Sequence, residues 1–131
     1  MILLDTHAWL WWLHSPKELS LRAQAALREN EGRRALRVSA ISVWEIAVKV
    51  ELGKLTLPMD ILSWHAMASA DSSIVIEPLI PEDLIASTLL PGPLHRDPAD
   101  RIIVAVARRC SAHLVTRDRK LLDYPHVETI W

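Results

Sequence analysis

Short apolar runs recur along the chain, and each is cut by an acid, a serine or a proline. The first run, Ile2-Leu3-Leu4, reads as a buried strand closed by Asp5. Thr6-His7 then open a helix to about Leu13, which Ser15-Pro16 stop. A second helix is expected from about Ser20 to Asn30, ending near Gly32, before residues 36–39, LRVS, form a second strand. Ser42 and Glu45 spell a Ser-x-x-Glu capping box, so the third helix is expected to start there and to run to about Leu52, with Gly53 as its stop. Asp60 caps ILSWHAMASA, and Ser72-Ser73 lead into a third strand, IVIE, that Pro78 ends. Pro81 begins a helix to about Leu90, and Pro91-Gly92-Pro93 make a rigid loop.

The stretch from Leu94 to Asp118 carries the most information. Asp97, Pro98 and Asp100 fall at the N-cap, first and third positions of a helix start. The run IIVAVA after them fits strand or helix. The cap in front and Arg108-Arg109 behind favour a helix of roughly three turns. HLVT then makes a short strand running into Arg117 and Asp118, followed by one helical turn, RKLL, and a last short strand around residues 126–130. Strands thus alternate with helices or helix pairs. That order predicts right-handed crossovers and an α/β fold of three α/β/α layers around a short, mostly parallel sheet. No repeat or linker divides the 131 residues, so one domain over 1–131 is expected.

Composition narrows the function classes. Half of the residues are hydrophobic, 24% are charged and the net charge is −1, so the molecule as a whole does not attract nucleic acid by bulk charge. Locally the balance differs: residues 94–120 hold seven basic side chains against three acids. A basic surround with an acidic centre suits a phosphate backbone, and it equally suits a solvated helix face. The one cysteine, Cys110, cannot form an internal disulfide and is expected as a small core residue in a reducing cytoplasm. Asp5 interrupts the apolar N-terminus, so no signal peptide is evident, and no apolar run reaches membrane-spanning length. Three glycines exclude a glycine-rich phosphate loop. The six tryptophans are expected mostly as core or interface anchors. The six histidines are scattered, and none is assigned a role.

Four acids share one kind of place. Asp5 and Asp118 follow short strands, and Glu45 and Asp100 lie in the first turns of helices, positions that meet at the carboxyl edge of a parallel sheet. Crowded carboxylates repel, and a hard divalent cation, Mg²⁺ or Mn²⁺, is the natural remedy; no Cys-His pattern suggests zinc. Each acid also has a plainer reading. Asp97 reads as a helix cap before a ligand. Glu45 is as readily a capping-box partner, worth on the order of 1 kcal/mol. Asp118 caps the turn after it. Asp5, at the end of a buried strand, is the hardest to explain without a partner.

Four segments carry a resemblance. DTHAWLWW at 5–12, SVWEIAVKVELGKL at 42–55, HRDPADRIIVAVA at 95–107, and LVTRD with the trailing DYPHVETIW at 114–131 resemble a PIN domain of the VapC ribonuclease-toxin type. The resemblance spans nearly the whole chain. It implies a Mg²⁺-dependent endoribonuclease in which Mn²⁺ substitutes. The catalytic and metal-binding acids would be Asp5, Glu45, Asp100 and Asp118, with Asp97, Thr6 and Thr116 as auxiliaries. Arg96, Arg101, Arg117 and Arg119 would contact RNA phosphates. It further implies a cognate antitoxin, a homodimer and no membrane. The Trp-rich helices at 7–14 and 41–51, with Leu10, Leu13, Ile46 and Val50, are the expected docking area. Ala99 departs from the bulkier aromatic common in this motif.

Two rival enzyme-like classes lack a residue each. A phosphoacceptor domain needs a lysine after a late strand, where Arg117-Asp118 stand. A haloacid-dehalogenase-type phosphatase needs a second acid two residues after Asp5, where His7 stands. A binding module with a structural acid cluster is compatible with the same residues.

Overall fold

Polarity along each strand decides how the sheet is covered. In the computed structural model, which describes residues 1–131, strand β1 (Ile2–Leu4) is buried at every position. Ile2 and Leu4 pack with Trp9, Leu27 and Trp64, while Leu3 between them packs with Ile103, Val104 and Leu114. The period-two alternation therefore feeds two cores, one on each face. Beside β1 lie β2 (Leu36–Ser39) and β3 (Ile74–Glu77) on one side and β4 (His113–Val115) and β5 (Thr129–Ile130) on the other. All pairings are parallel, in the order β3-β2-β1-β4-β5.

Helices close both faces. α1 (Thr6–His14), α2 (Leu21–Glu31) and α4 (Ile61–Ala70) cover the first core, and α6 (Pro98–Arg109) covers the second. α5 (Pro81–Thr88) lies along α6, and a single turn, α7 (Arg119–Leu122), joins β4 to β5. α3 (Ala40–Glu51) sends Ile41 to one core and Ile46 to the other. A 3₁₀ turn at Pro16–Glu18 links α1 to α2.

Several expected boundaries move. α3 starts at Ala40, not after Ser42; its N-cap is Ser39, whose hydroxyl accepts from the Ile41 N–H at 3.2 Å. The Ser42–Glu45 capping box therefore does not form. β2 runs straight into the helix, so the serine at the strand's last position is the residue with extended backbone and takes the cap. Gly53 does close the helix, with φ 71°, the left-handed conformation that a side chain resists. α5 ends at Thr88, short of Leu90, and the last strand is only two residues long. Cys110 is the C-cap of α6 and half-buried rather than fully in the core. Of the tryptophans, Trp9 and Trp64 are core and stack edge-on at 5.0 Å, whereas Trp44 is 58% exposed.

An ion network fastens α5 and α6 to the sheet's edge. Asp83 on α5, 1% exposed, accepts from Arg109 Nε at 2.6 Å and Nη2 at 3.0 Å. Glu77, at the end of β3, joins Arg109 to Arg37 of β2. Asp83→Ala removes two charge-assisted hydrogen bonds but leaves Arg109 half-exposed and still near Glu77 at 3.5 Å, so it should lower stability by about 1–2 kcal/mol. Arg119→Ala, which removes an exposed pair at 3.8 Å, should change it by less than about 0.5 kcal/mol. Urea denaturation of both variants checks the contrast, and equal losses would contradict it.

Candidate active site

The crossovers leave β1 toward β2 and return beside it at β4, so the order of the sheet reverses at β1 and a crevice opens at the strands' carboxyl ends. Asp5 sits at that point. It ends β1, caps α1 and is 7% exposed. Its Oδ1 accepts from the Thr6 N–H at 2.7 Å, and its Oδ2 accepts from the Thr116 hydroxyl at 2.8 Å. Burial raises its pKa, and these hydrogen bonds oppose the shift.

Glu45 arrives from the second turn of α3, one turn later than the sequence pattern suggests, because the helix begins at Ala40. The Thr6 hydroxyl donates to Glu45 Oε1 at 2.6 Å. Ser42 Oγ lies 2.8 Å from the same hydroxyl; with its one proton given to Glu45, Thr6 can only accept from Ser42. Burial raises the Glu45 pKa, against the Thr6 hydrogen bond and Lys49, whose Nζ is 3.9 Å away.

Asp100 is the third residue of α6, and its N–H donates to the cap, Asp97, at 3.0 Å. Its Oδ2 meets His95 Nε2 at 2.6 Å. Burial is the largest influence on Asp100, and Asp5, Asp97 and Glu45 add repulsion; its pKa is pushed up to about 6 although His95 opposes this. Asp118 caps α7, accepting from the Lys120 N–H at 2.9 Å, while its own N–H donates to Thr116 Oγ1 at 3.0 Å. Thr116 thus ties Asp118 to Asp5, and Thr6 ties Asp5 to Glu45.

Asp5, Glu45, Asp97, Asp100 and Asp118 line one cleft of about 480 Å³, with His7, Trp11, Lys49 and Arg117 on its walls. Ligand atoms of His95, Asp100 and Asp118 lie within 4.8 Å of one another. The donor set is mostly carboxylate oxygen, and Asp5 and Asp118 make no ion pair. A hard divalent cation fits such a set: it would relieve both the repulsion and the desolvation that hold these pKa values up.

The four arginines expected on RNA separate. Arg117 lines the cleft, with its guanidinium 5.8 Å from the Trp11 ring centre. Arg96 and Arg119 are exposed outside it. Arg101 is withdrawn from the proposed set: its Nε donates to Ser87 O at 2.8 Å and its Nη1 to Leu94 O at 3.1 Å, so it ties the loop before α6 to the end of α5. Asp97 is exposed and caps α6, which is the plainer of its two readings. Sequence reasoning missed Lys49, His7, Ser42 and His95. Only Lys49 had a local signal, its i,i+4 spacing from Glu45.

Residues 2–127 match the PIN domain. The chain is 35% identical to Ribonuclease VapC22 of Mycobacterium tuberculosis, over 99% of this chain and 98% of that one. Among solved structures it is similar to VapBC2 from Rickettsia felis bound to a promoter DNA fragment, with TM-score 0.70, 16% identity and 98% and 97% of the two chains covered. It is also similar to FitAcB from Neisseria gonorrhoeae, with TM-score 0.69, 22% identity and 98% and 96% covered. At those identities the structures speak for the fold alone.

The raised carboxylates have a measurable consequence. Asp100 binds its proton more tightly folded than unfolded, so its contribution to stability is present at low pH. That contribution is lost as pH rises from the ordinary carboxylate range through about 6. In metal-free protein, the stability of Asp100→Asn relative to the unaltered chain should therefore grow by on the order of 2 kcal/mol between pH 4.5 and 7.5. Urea melts across that range read it, and a difference that is flat or shrinks with pH would contradict the assignment.

Proposed function

The chain belongs to the PIN domain family, and on that premise we propose that it is a Mg²⁺-dependent endoribonuclease and the toxin of a toxin–antitoxin pair. One observation carries the reading: Asp5, Glu45, Asp100 and Asp118, from four separate elements, converge on a single cleft at the sheet's reversal point. The 35% identity to a ribonuclease, over both full lengths, supports it.

Asp5, Asp100 and Asp118 would hold Mg²⁺, or Mn²⁺ in its place, with Glu45 assisting. When bound, the ion supplies an activated water and offsets charge on the scissile phosphate. Thr116 and Thr6 hold the Asp5 carboxylate from both sides, which would pre-orient it toward the ion. The hydroxyls of Thr6, Ser42 and Thr116 are 2%, 0% and 0% exposed and engaged with one another or with Glu45 and Asp5, so none serves as a covalent nucleophile. Arg117 stands on the rim, where its guanidinium would hold a phosphate next to the one being cut. Arg96 and Arg119 would hold phosphates further along. The substrate is RNA in a loop or single strand, since a duplex hides its bases. In this reading the 131 residues act as one domain, and the compartment proposed is the cytoplasm, where an RNA substrate and a newly made antitoxin are both present. No helix is long and apolar enough to cross a membrane.

An antitoxin would dock in a groove of about 570 Å³ lined by Leu10, Trp11, His14, Leu55 and Leu57. This groove shares His7 and Trp11 with the acid cleft, so a segment lying in it reaches the carboxylates. Of the apolar residues expected there, Ile46 is internal, at 0% exposure, whereas Leu10, Leu13 and Val50 are partly open. We also propose a homodimer, which the family resemblance implies.

EDTA should abolish RNA cleavage and Mg²⁺ should restore it. Asp100→Asn should abolish cleavage with the fold kept, because asparagine suits the helix start but cannot offer an anionic ligand. Asp97→Asn should be much milder, since asparagine caps nearly as well as aspartate. Wild-type cleavage by purified Asp100→Asn would overturn the site. Co-expression with the product of the neighbouring reading frame should relieve growth arrest and yield a complex in size-exclusion chromatography with light scattering; a harmless chain that binds no such product would overturn the toxin reading.

A further inference from the structure

The loop before α6 points a histidine at the acid cluster, and its surroundings determine how it is used. His95 Nε2 lies 2.6 Å from Asp100 Oδ2, and the imidazole is 18% exposed. The other ring nitrogen, Nδ1, is buried and has no protein partner. A proton on Nδ1 would strand a donor in that environment, which is worse than leaving an acceptor unused. The proton of the neutral ring therefore belongs on Nε2, where it donates to Asp100. With Nε2–H committed in this way, that nitrogen has no lone pair to offer an ion, although His95 stands with Asp100 and Asp118 in a group whose ligand atoms lie within 4.8 Å of one another.

The backbone explains how the ring is held. Arg101, the residue after Asp100, donates to Leu94 O at 3.1 Å, with His95 O at 3.5 Å from the same nitrogen, and to Ser87 O at 2.8 Å. Helix α6 thus grips the loop with one residue while the loop grips Asp100, on the preceding residue of the same helix. The arrangement is closed, and it pins one carboxylate oxygen.

We propose that His95 is a positioning residue for Asp100: it holds Oδ2 through Nε2–H and leaves Oδ1 as the single oxygen presented to the divalent ion. The proposal rests on the metal-dependent reading above. Partners of this kind, when removed, typically weaken metal binding by roughly 10- to 100-fold.

The test uses Mn²⁺ as the probe and the full chain. Mn²⁺ affinity is read by the loss of the free-ion EPR signal, and bound Mn²⁺ is then examined for nitrogen coupling by electron spin echo envelope modulation. His95→Ala should weaken Mn²⁺ binding by roughly 10- to 100-fold, with an unchanged circular dichroism spectrum. His95→Gln, which keeps an N–H donor, should recover part of the loss. In RNA cleavage the Ala variant should lose activity that added Mn²⁺ restores. The unaltered protein should show no imidazole ¹⁴N modulation. Strong ¹⁴N modulation that vanishes in His95→Ala would make His95 a direct ligand and overturn the proposal, as would equal Mn²⁺ affinity in the Ala variant. If the unaltered protein takes up no Mn²⁺, the metal-dependent reading fails instead, and the two failures are distinct.

Discussion

A carboxylate buried at the end of the central strand is the constraint around which this molecule is arranged. Asp5 is 7% exposed and has no ion-pair partner. An anion in that position destabilises the fold unless other groups satisfy it. Thr6 and Thr116 do so from the two neighbouring segments, with hydrogen bonds of 2.7 and 2.8 Å. Each threonine then reaches one further acid or its backbone, so satisfying Asp5 also fixes Glu45 and Asp118. The site and the junction of α1, β1 and β4 are one hydrogen-bonded unit.

The register of the sheet makes this possible. Leu4 at the end of β1 is in register with Val38 of β2 and Val115 of β4, so the three central strands finish nearly level with one another, and the reversal at β1 opens a crevice at that edge. Stability comes from elsewhere. Two apolar cores, anchored by Trp9 and Trp64 on one face and by Ile103, Val104 and Leu114 on the other, carry the burial. The Asp83–Arg109–Glu77–Arg37 network secures the outer helices at the far edge. Charge is fully paired there, whereas at the cleft Asp5 and Asp118 have no ion pair and Glu45 and Asp100 face only Lys49 and His95, a division expected when a site gives up stability for a ligand.

The arginines show the same division of labour. Local basic excess treats Arg96, Arg101, Arg117 and Arg119 alike. The fold gives one to the cleft wall, leaves two in solvent and turns Arg101 back onto carbonyls of its own chain. Positive charge near an acidic centre is thus only partly available to a polyanion.

Much of the architecture was legible in the linear pattern. Three-residue apolar runs, acids at their ends and Pro-containing caps give the alternation of strand and helix, and the alternation gives a parallel, doubly covered sheet, because connections of that length must cross over. The acids Asp5, Asp100 and Asp118 were legible too, since position relative to a strand end or helix start is a local property. What failed was local competition: the Ser42–Glu45 box looked sound, but Ser39 took the cap because β2 delivers it with extended backbone. What stayed hidden was non-local. That Thr6 meets Glu45 39 residues away, that Thr116 meets Asp5 111 residues away and that Arg101 faces inward are consequences of packing. So is the engagement of His95 with Asp100, because the irregular segment between α5 and α6 sets no direction until Arg101 ties it to α5. The sequence by itself determined which acids stand at the sheet's edge. Only the tertiary structure decided which groups satisfy them, because hydrogen-bond partners depend on distances across the fold that no residue spacing encodes.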